Sequence, residues 1–298
     1  MIIYKFADII YYNIYKRFKS TEMSNGKYFV FKELLAMADE AKKKKWRMHL
    51  LDELRGLAVV CMIFYHAFYL IGEILQIEWG KILCNFFTPA EPYFASLFIF
   101  LSGIACNLSR SNVERGVKLG IVALGITLAT YLYDPNYIIT FGVLHMLAVC
   151  MILYGLVSKY LRVIPVWLGI LLNILLFIFL YSTSLGKFGI PYLKMWDFPQ
   201  EWYTTNYLFM FGFPNETFSS ADYFPLLPWM FMFFAGGFFG RLIRMKKFPK
   251  WTAKKHIPPL AFVGRHALLF YVAHQPVIYG ICIAVQWFMS LFNPAEKK

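Results

Sequence analysis

Residues 51–70 read LDELRGLAVVCMIFYHAFYL, and the reading of this stretch decides the fold. Arg55 stands at the mouth of a long apolar run and His66 lies inside it. Eleven residues of α-helix rise about 16 Å, roughly half the hydrocarbon thickness of a bilayer. If the run spans a membrane, His66 is therefore near the midplane. A titratable group at that depth is costly, and it marks either a functional site or a histidine bonded across a helix interface.

Working outward, the rest of the chain supports the membrane reading. It is 59% hydrophobic and 20% aromatic, with only 16% charged residues and a mean hydropathy of +0.52. Soluble domains carry about 25% charged residues. The formal charge of +13 raises the question of nucleic acid, but the basic residues fall between apolar runs, as membrane topology requires. No nucleic-acid partner is expected; the lipid bilayer is.

Seven apolar runs are long enough to span, at about 54–76, 92–109, 117–134, 138–158, 163–182, 223–243 and 261–291. The last contains Pro276 and is read as one kinked helix or two shorter ones. Strongly and weakly basic connections alternate along the chain. The positive-inside rule then predicts a multi-pass, all-α bundle in the cell membrane, with the N-terminus and loop 244–260 cytoplasmic and loop 183–222 external. Residues 1–50 read as a basic, amphipathic segment lying at the interface, and 51–292 as a single transmembrane unit without internal repeat. No order of basic start, apolar stretch and small-residue cleavage site opens the chain. Oligomeric state is not legible.

The candidate chemistry lies in a few polar residues. His66, His145 and His274 fall inside spans, and Gln275 and Pro276 follow the last of them. Asp222 precedes a run whose Pro225 and Pro228 predict an extended or kinked approach; it reads as a helix cap, an interfacial anchor or a site carboxylate. The aromatic residues of 202–213 read as an interface belt or a sugar-stacking platform. Arg244 and Arg265 belong to a basic connection, 241–265, that serves topology or holds the phosphates of a nucleotide-like donor. Histidine spacing gives no His-x-x-x-His pair, and the five cysteines (Cys61, Cys84, Cys106, Cys150 and Cys282) form no Cys-x-x-Cys pair, so no metal site or disulfide framework is expected. General base, nucleophile or proton relay suits the histidines better.

An ordered set of segments resembles a known family. RGLAVVCMIFYH resembles the arginine–ten residues–histidine motif of integral-membrane acyltransferases that modify glycans. LFIFLSGIACNLSR, ITFGVLHML, DYFPLLPW and GRHALLFYVAHQPV together resemble the bacterial relatives of heparan-alpha-glucosaminide N-acetyltransferase, over about residues 48–285. The resemblance implies a transferase that takes an acetyl group from cytoplasmic acetyl-CoA to an amine or hydroxyl of a saccharide or cell-envelope glycan on the far side. It implies that Arg55 and His66 form the motif pair and that His274 is the histidine of the last conserved helix. The lysosomal member has asparagine at the position of His66, and its proposed catalytic histidine follows the first span, where Ile77 to Glu91 holds none. On this reading His66 acts as base or acyl acceptor, Arg55 binds donor phosphate or the carbonyl oxygen, and Asp222 faces the acceptor. A proton-coupled transporter or a non-catalytic membrane partner is the rival.

Overall fold

The computed structural model describes residues 48–292 except 110, 192, 246 and 247. The interfacial reading of the first fifty residues falls outside the described residues but for its last three. Nine helices and one hairpin follow among the described residues: α1 (His49–Tyr69), α2 (Glu78–Phe87), α3 (Glu91–Cys106), α4 (Asn112–Tyr133), α5 (Val143–Leu161), α6 (Val166–Phe179), the strands β1 (Lys187–Ile190) and β2 (Lys194–Asp197), α7 (Leu226–Arg244), α8 (Pro258–Arg265) and α9 (Ala267–Phe292). The fold is all-α and multi-pass. Seven stretches are long and apolar enough to cross a membrane: His49–Glu73, Glu78–Cys106, Asn112–Tyr133, Val143–Leu161, Val166–Leu185, Leu226–Arg244 and Ala267–Val285. Ile121, Leu124, Leu128 and Leu132 stand exposed at helical spacing along α4, a stripe that suits lipid rather than water.

Local sequence sets several boundaries. Ser111 caps α4 by accepting the Glu114 N–H at 3.3 Å. Pro225 is extended and Leu227 is non-helical (φ −92°, ψ 123°), so the approach to α7 is drawn out as its prolines predicted. One expectation needs correction: residues 77–91, read as a loop, form α2 and a short 3₁₀ turn leading straight into α3. Of the two alternatives for the 261–291 run, two helices is the one found: they part at His266 (φ −109°, ψ 25°), and Pro276 lies inside the second.

In a bilayer the lipid tails are as apolar as leucine, so helices associate by close packing and polar contacts rather than by expulsion from water. Two crossings show this. Where α3 meets α7, a Cβ on Gly103 would collide with the Phe233 carbonyl, and one on Gly236 with the Phe100 carbonyl. Where α1 meets α8, Gly56 lies against the Leu260 carbonyl and Gly264 against that of Asp52. Only glycine admits such an approach. Beside the first crossing, Ile99, Met146, Cys150 and Phe233 are fully buried in one cluster. Glu53 of α1 fastens the chain leading into α8, accepting N–H bonds from His256 (2.6 Å) and Ile257 (3.1 Å) and meeting the His256 ring at 3.3 Å.

Candidate functional site

Residues 219–224 are strapped to the segment before α5. Ala221 N–H donates to the Ile138 carbonyl (3.0 Å), Phe224 N–H to that of Phe141 (3.2 Å), and Phe141 and Tyr223 form a parallel bridge. This strap brings Asp222 to the N-terminus of α5. Its Oδ2 accepts from the Val143 N–H at 3.0 Å and from the Tyr271 hydroxyl of α9 at 2.9 Å. Asp222 therefore caps a helix other than its own. Burial pushes its carboxyl above the usual range, while the two donors pull it back toward the ionised form.

The same carboxylate lines a cavity of about 260 Å³ with His66, Glu91, Tyr65 and Tyr271. His66 projects from the second half of α1, and its ring centroid is 5.1 Å from that of His274 on α9. His274 is 7% exposed. Its Nδ1 is 2.5 Å from the Tyr271 carbonyl, one turn back on α9. A carbonyl only accepts, so Nδ1 must carry the proton, and Nε2 keeps the lone pair. That Nε2 is buried with no hydrogen-bond partner among the described residues. Tyr271 thus touches both groups: its hydroxyl holds Asp222 and its carbonyl fixes the tautomer of His274. The chemical result is a basic nitrogen beside a second imidazole, that of His66, which itself lines the cavity.

His66, His274 and Asp222 are brought together. His145 is not: it lies outside the cavity lining, with Nε2 3.1 Å from Thr127 Oγ1 and Nδ1 accepting the Gly142 N–H at 3.2 Å. Thr127 and Gly142 hold it at the junction of α4 and α5. The expectation of one polar cavity lined by all three histidines is corrected: His66 alone of them lines it, and His274 is joined to it through the contact with His66. Arg55 lies three turns below His66 on α1, 3.7 Å from Asp52 Oδ1 and donating to the Leu101 carbonyl at 3.4 Å. Arg265 is exposed at the end of α8, its Nε donating to the Ala261 carbonyl at 3.0 Å. Arg244 lines a different cavity, at the opposite ends of the helices.

Sequence reasoning missed two residues. Glu91 opens α3, where a first-turn acid beside Pro92 reads as dipole compensation. Tyr271 is one of 20 tyrosines, with nothing to single it out. Among the aromatic residues of 202–213, Trp202, Tyr207 and Phe211 are exposed and Phe213 is not. Phe213, 6% exposed, is ringed edge-on by Phe198, Trp202 and Tyr203, a small core of its own beneath the long connection.

The architecture and the site define a class: a multi-pass helical membrane protein with an imidazole pair, one member of which shares a cavity with a carboxylate. The catalytic model of heparan-alpha-glucosaminide N-acetyltransferase matches residues 47–276, and the chain belongs to that family, a family of membrane acetyltransferases. No curated protein and no solved structure matches the chain. Among the described residues no three His, Cys, Asp or Glu side chains gather as a metal-binding group.

Proposed function

We propose that this protein transfers an acetyl group from acetyl-CoA, arriving at the basic face of the bundle, to an amine or hydroxyl of a saccharide or cell-envelope glycan entering from the other face. The observation that carries the reading is the His66–His274 contact beside Asp222, with the Nε2 lone pair of His274 unengaged. The cavity, about 260 Å³, is at the small end of ligand sites, which run about 300–1,000 Å³. It suits the reacting ends of two substrates and not a whole coenzyme.

In direct transfer, the acceptor nitrogen or oxygen attacks the thioester carbonyl carbon and its proton passes to an imidazole nitrogen. The carbon–sulfur bond breaks, and the sulfur leaves as the thiol after taking a proton. In the two-step alternative, a neutral His66 nitrogen attacks the same carbon, the carbon–sulfur bond breaks and the sulfur leaves as the thiol with a proton; the acceptor then attacks the acetyl-imidazole, its proton passing to an imidazole nitrogen as the carbon–nitrogen bond to His66 breaks. Both routes need one basic imidazole, and His274 is preset for that by its bond to Tyr271. Asp222, fixed by two donors, faces the acceptor. Arg55 and Arg265, on packed neighbours α1 and α8, lie toward the face from which the donor phosphates approach.

The orientation, with the N-terminus cytoplasmic, the long connection external and the cell membrane as location, belongs to this reading and rests on the charge of the loops. The test is radiolabelled acetyl-CoA offered to inverted vesicles. Label should pass to an acceptor with the wild-type chain and not with His66→Ala inserted at equal level. Absence of donor-dependent label over a panel of amine and hydroxyl saccharides would favour a transporter or a non-catalytic partner and refute the proposal.

A further inference from the structure

At the opposite ends of α3, α5 and α7, lined also by the start of α4, lies a second, larger cavity, about 1070 Å³. The acyl-transfer reading does not use it. Arg162, Arg241 and Arg244 line it together with Ser158 and Asn112, and among the described residues no acidic side chain is in its lining. Arg241 is locked in place: Nη1 donates to the carbonyls of Leu161 (3.2 Å) and Ile164 (3.0 Å), and Nη2 to that of Arg162 (3.2 Å). Two of these carbonyls, Leu161 and Arg162, close α5 and the third follows it, so the cation also offsets that helix terminus. Arg162 and Arg244 are exposed, and their guanidinium groups have no hydrogen bond or ion pair among the described residues. Asn112, the first residue of α4, donates from Nδ2 to the Cys106 carbonyl at 3.0 Å, yet its Oδ1 is buried without a partner. An orphaned acceptor of that kind costs free energy until a donor reaches it.

Three cations and an unpartnered acceptor ask for a ligand that is anionic and carries a hydroxyl. We propose that this cavity binds a phosphate ester bearing a free hydroxyl, as in the headgroup of an anionic glycerophospholipid or in a soluble sugar or glycerol phosphate. The apolar rim favours the lipid source, since Leu108 and Met245 line the same cavity and are half exposed. The ligand does not reach the acetyl position. Ile99, Met146, Cys150 and Phe233, each 0% exposed, fill the space along α3, α5 and α7 between the two cavities. The site is thus separate from the transfer chemistry, and it stands or falls without it.

The experiment uses the full chain in nanodiscs of phosphatidylcholine alone and with added phosphatidylglycerol. Bound phosphatidylglycerol is counted by native mass spectrometry after release, and glycerol 3-phosphate and inorganic phosphate are titrated in a parallel arm. A cation near an anionic headgroup is worth about a factor of five, so Arg162→Gln/Arg244→Gln should weaken retention about 30-fold. Ser158→Glu, which sets a carboxylate against the guanidinium groups, should do the same where the double variant fails to fold. Arginine-dependent binding of phosphatidylglycerol, or of the soluble phosphate alone, supports the site and identifies its source. Retention unchanged in the variants, or no phosphate ligand in either arm, overturns it. Displacement of the lipid by acetyl-CoA would make this the donor pocket and overturn the separation. His66→Ala should bind the lipid as the wild type does, which keeps failure here distinct from failure of the transferase reading.

Discussion

Replacing His274 by asparagine separates its chemical role from its structural one. The amide nitrogen of asparagine reaches the position of Nδ1 and retains the bond to the Tyr271 carbonyl, now 2.5 Å. What is lost is Nε2, the nitrogen left with a free lone pair. Asparagine has no basic nitrogen, so the whole contribution of a general base goes with it. Such a group contributes about 10²–10⁴-fold, or roughly 3–5 kcal/mol of barrier. The structural loss is small by comparison: half a ring against His66, on the order of 1 kcal/mol. Transfer from labelled acetyl-CoA, normalised to folded protein, should fall by at least a hundredfold while the melting temperature in detergent moves by a few degrees. His274→Gln, which carries its amide to the Nε2 position, should be equally inactive, because position without basicity does not suffice. Turnover within a few-fold of wild type in both variants would refute the assignment and return the base to His66. A collapse of melting temperature that matches the loss of activity would show that the ring is needed for packing alone.

Four further outcomes follow from the geometry. In a background without native cysteines, Ser184→Cys and Ser219→Cys should react with an impermeant maleimide added to intact cells; reaction only after permeabilisation would invert the proposed orientation. Glu53→Ala removes the acceptor of the His256 and Ile257 N–H groups and should cost about 2 kcal/mol, seen as a lower melting temperature and faster proteolysis just before α8; unchanged protection would mean the contact is not formed. Gly236→Val drives a side chain into the Phe100 carbonyl and should cost at least about 1–3 kcal/mol, read as loss of monodisperse protein on extraction; normal extraction would argue against the tight α3–α7 crossing. Asp222 binds its proton more tightly in the fold than at the unfolded value of about 3.9, so its burial favours the fold below that pH and loses this contribution as pH rises through the raised value. Melting temperature should therefore decline over that interval in the wild type and less in Asp222→Asn; parallel curves would show that Asp222 does not titrate there.

What was legible in the sequence is what one dimension carries. Spans follow from runs of about 20 apolar residues, because the thickness of the bilayer imposes that length along the chain. His66 and Asp222 stood out because each sits where its charge is costly: one deep in an apolar run, the other against prolines at a membrane boundary. The rest depends on contacts between segments far apart. Glu91 shares a cavity with Asp222 although 131 positions separate them, and its neighbours along the chain describe only a helix start. The bond that sets the tautomer of His274 is local, yet it matters only because His66 arrives on another helix. His145 shows the reverse. Depth alone made it look equivalent to the other two, but Thr127 and the Gly142 N–H engage both of its nitrogens. A histidine in a span satisfies its polar atoms with neighbours or keeps one for chemistry, and only the packing of helices decides which.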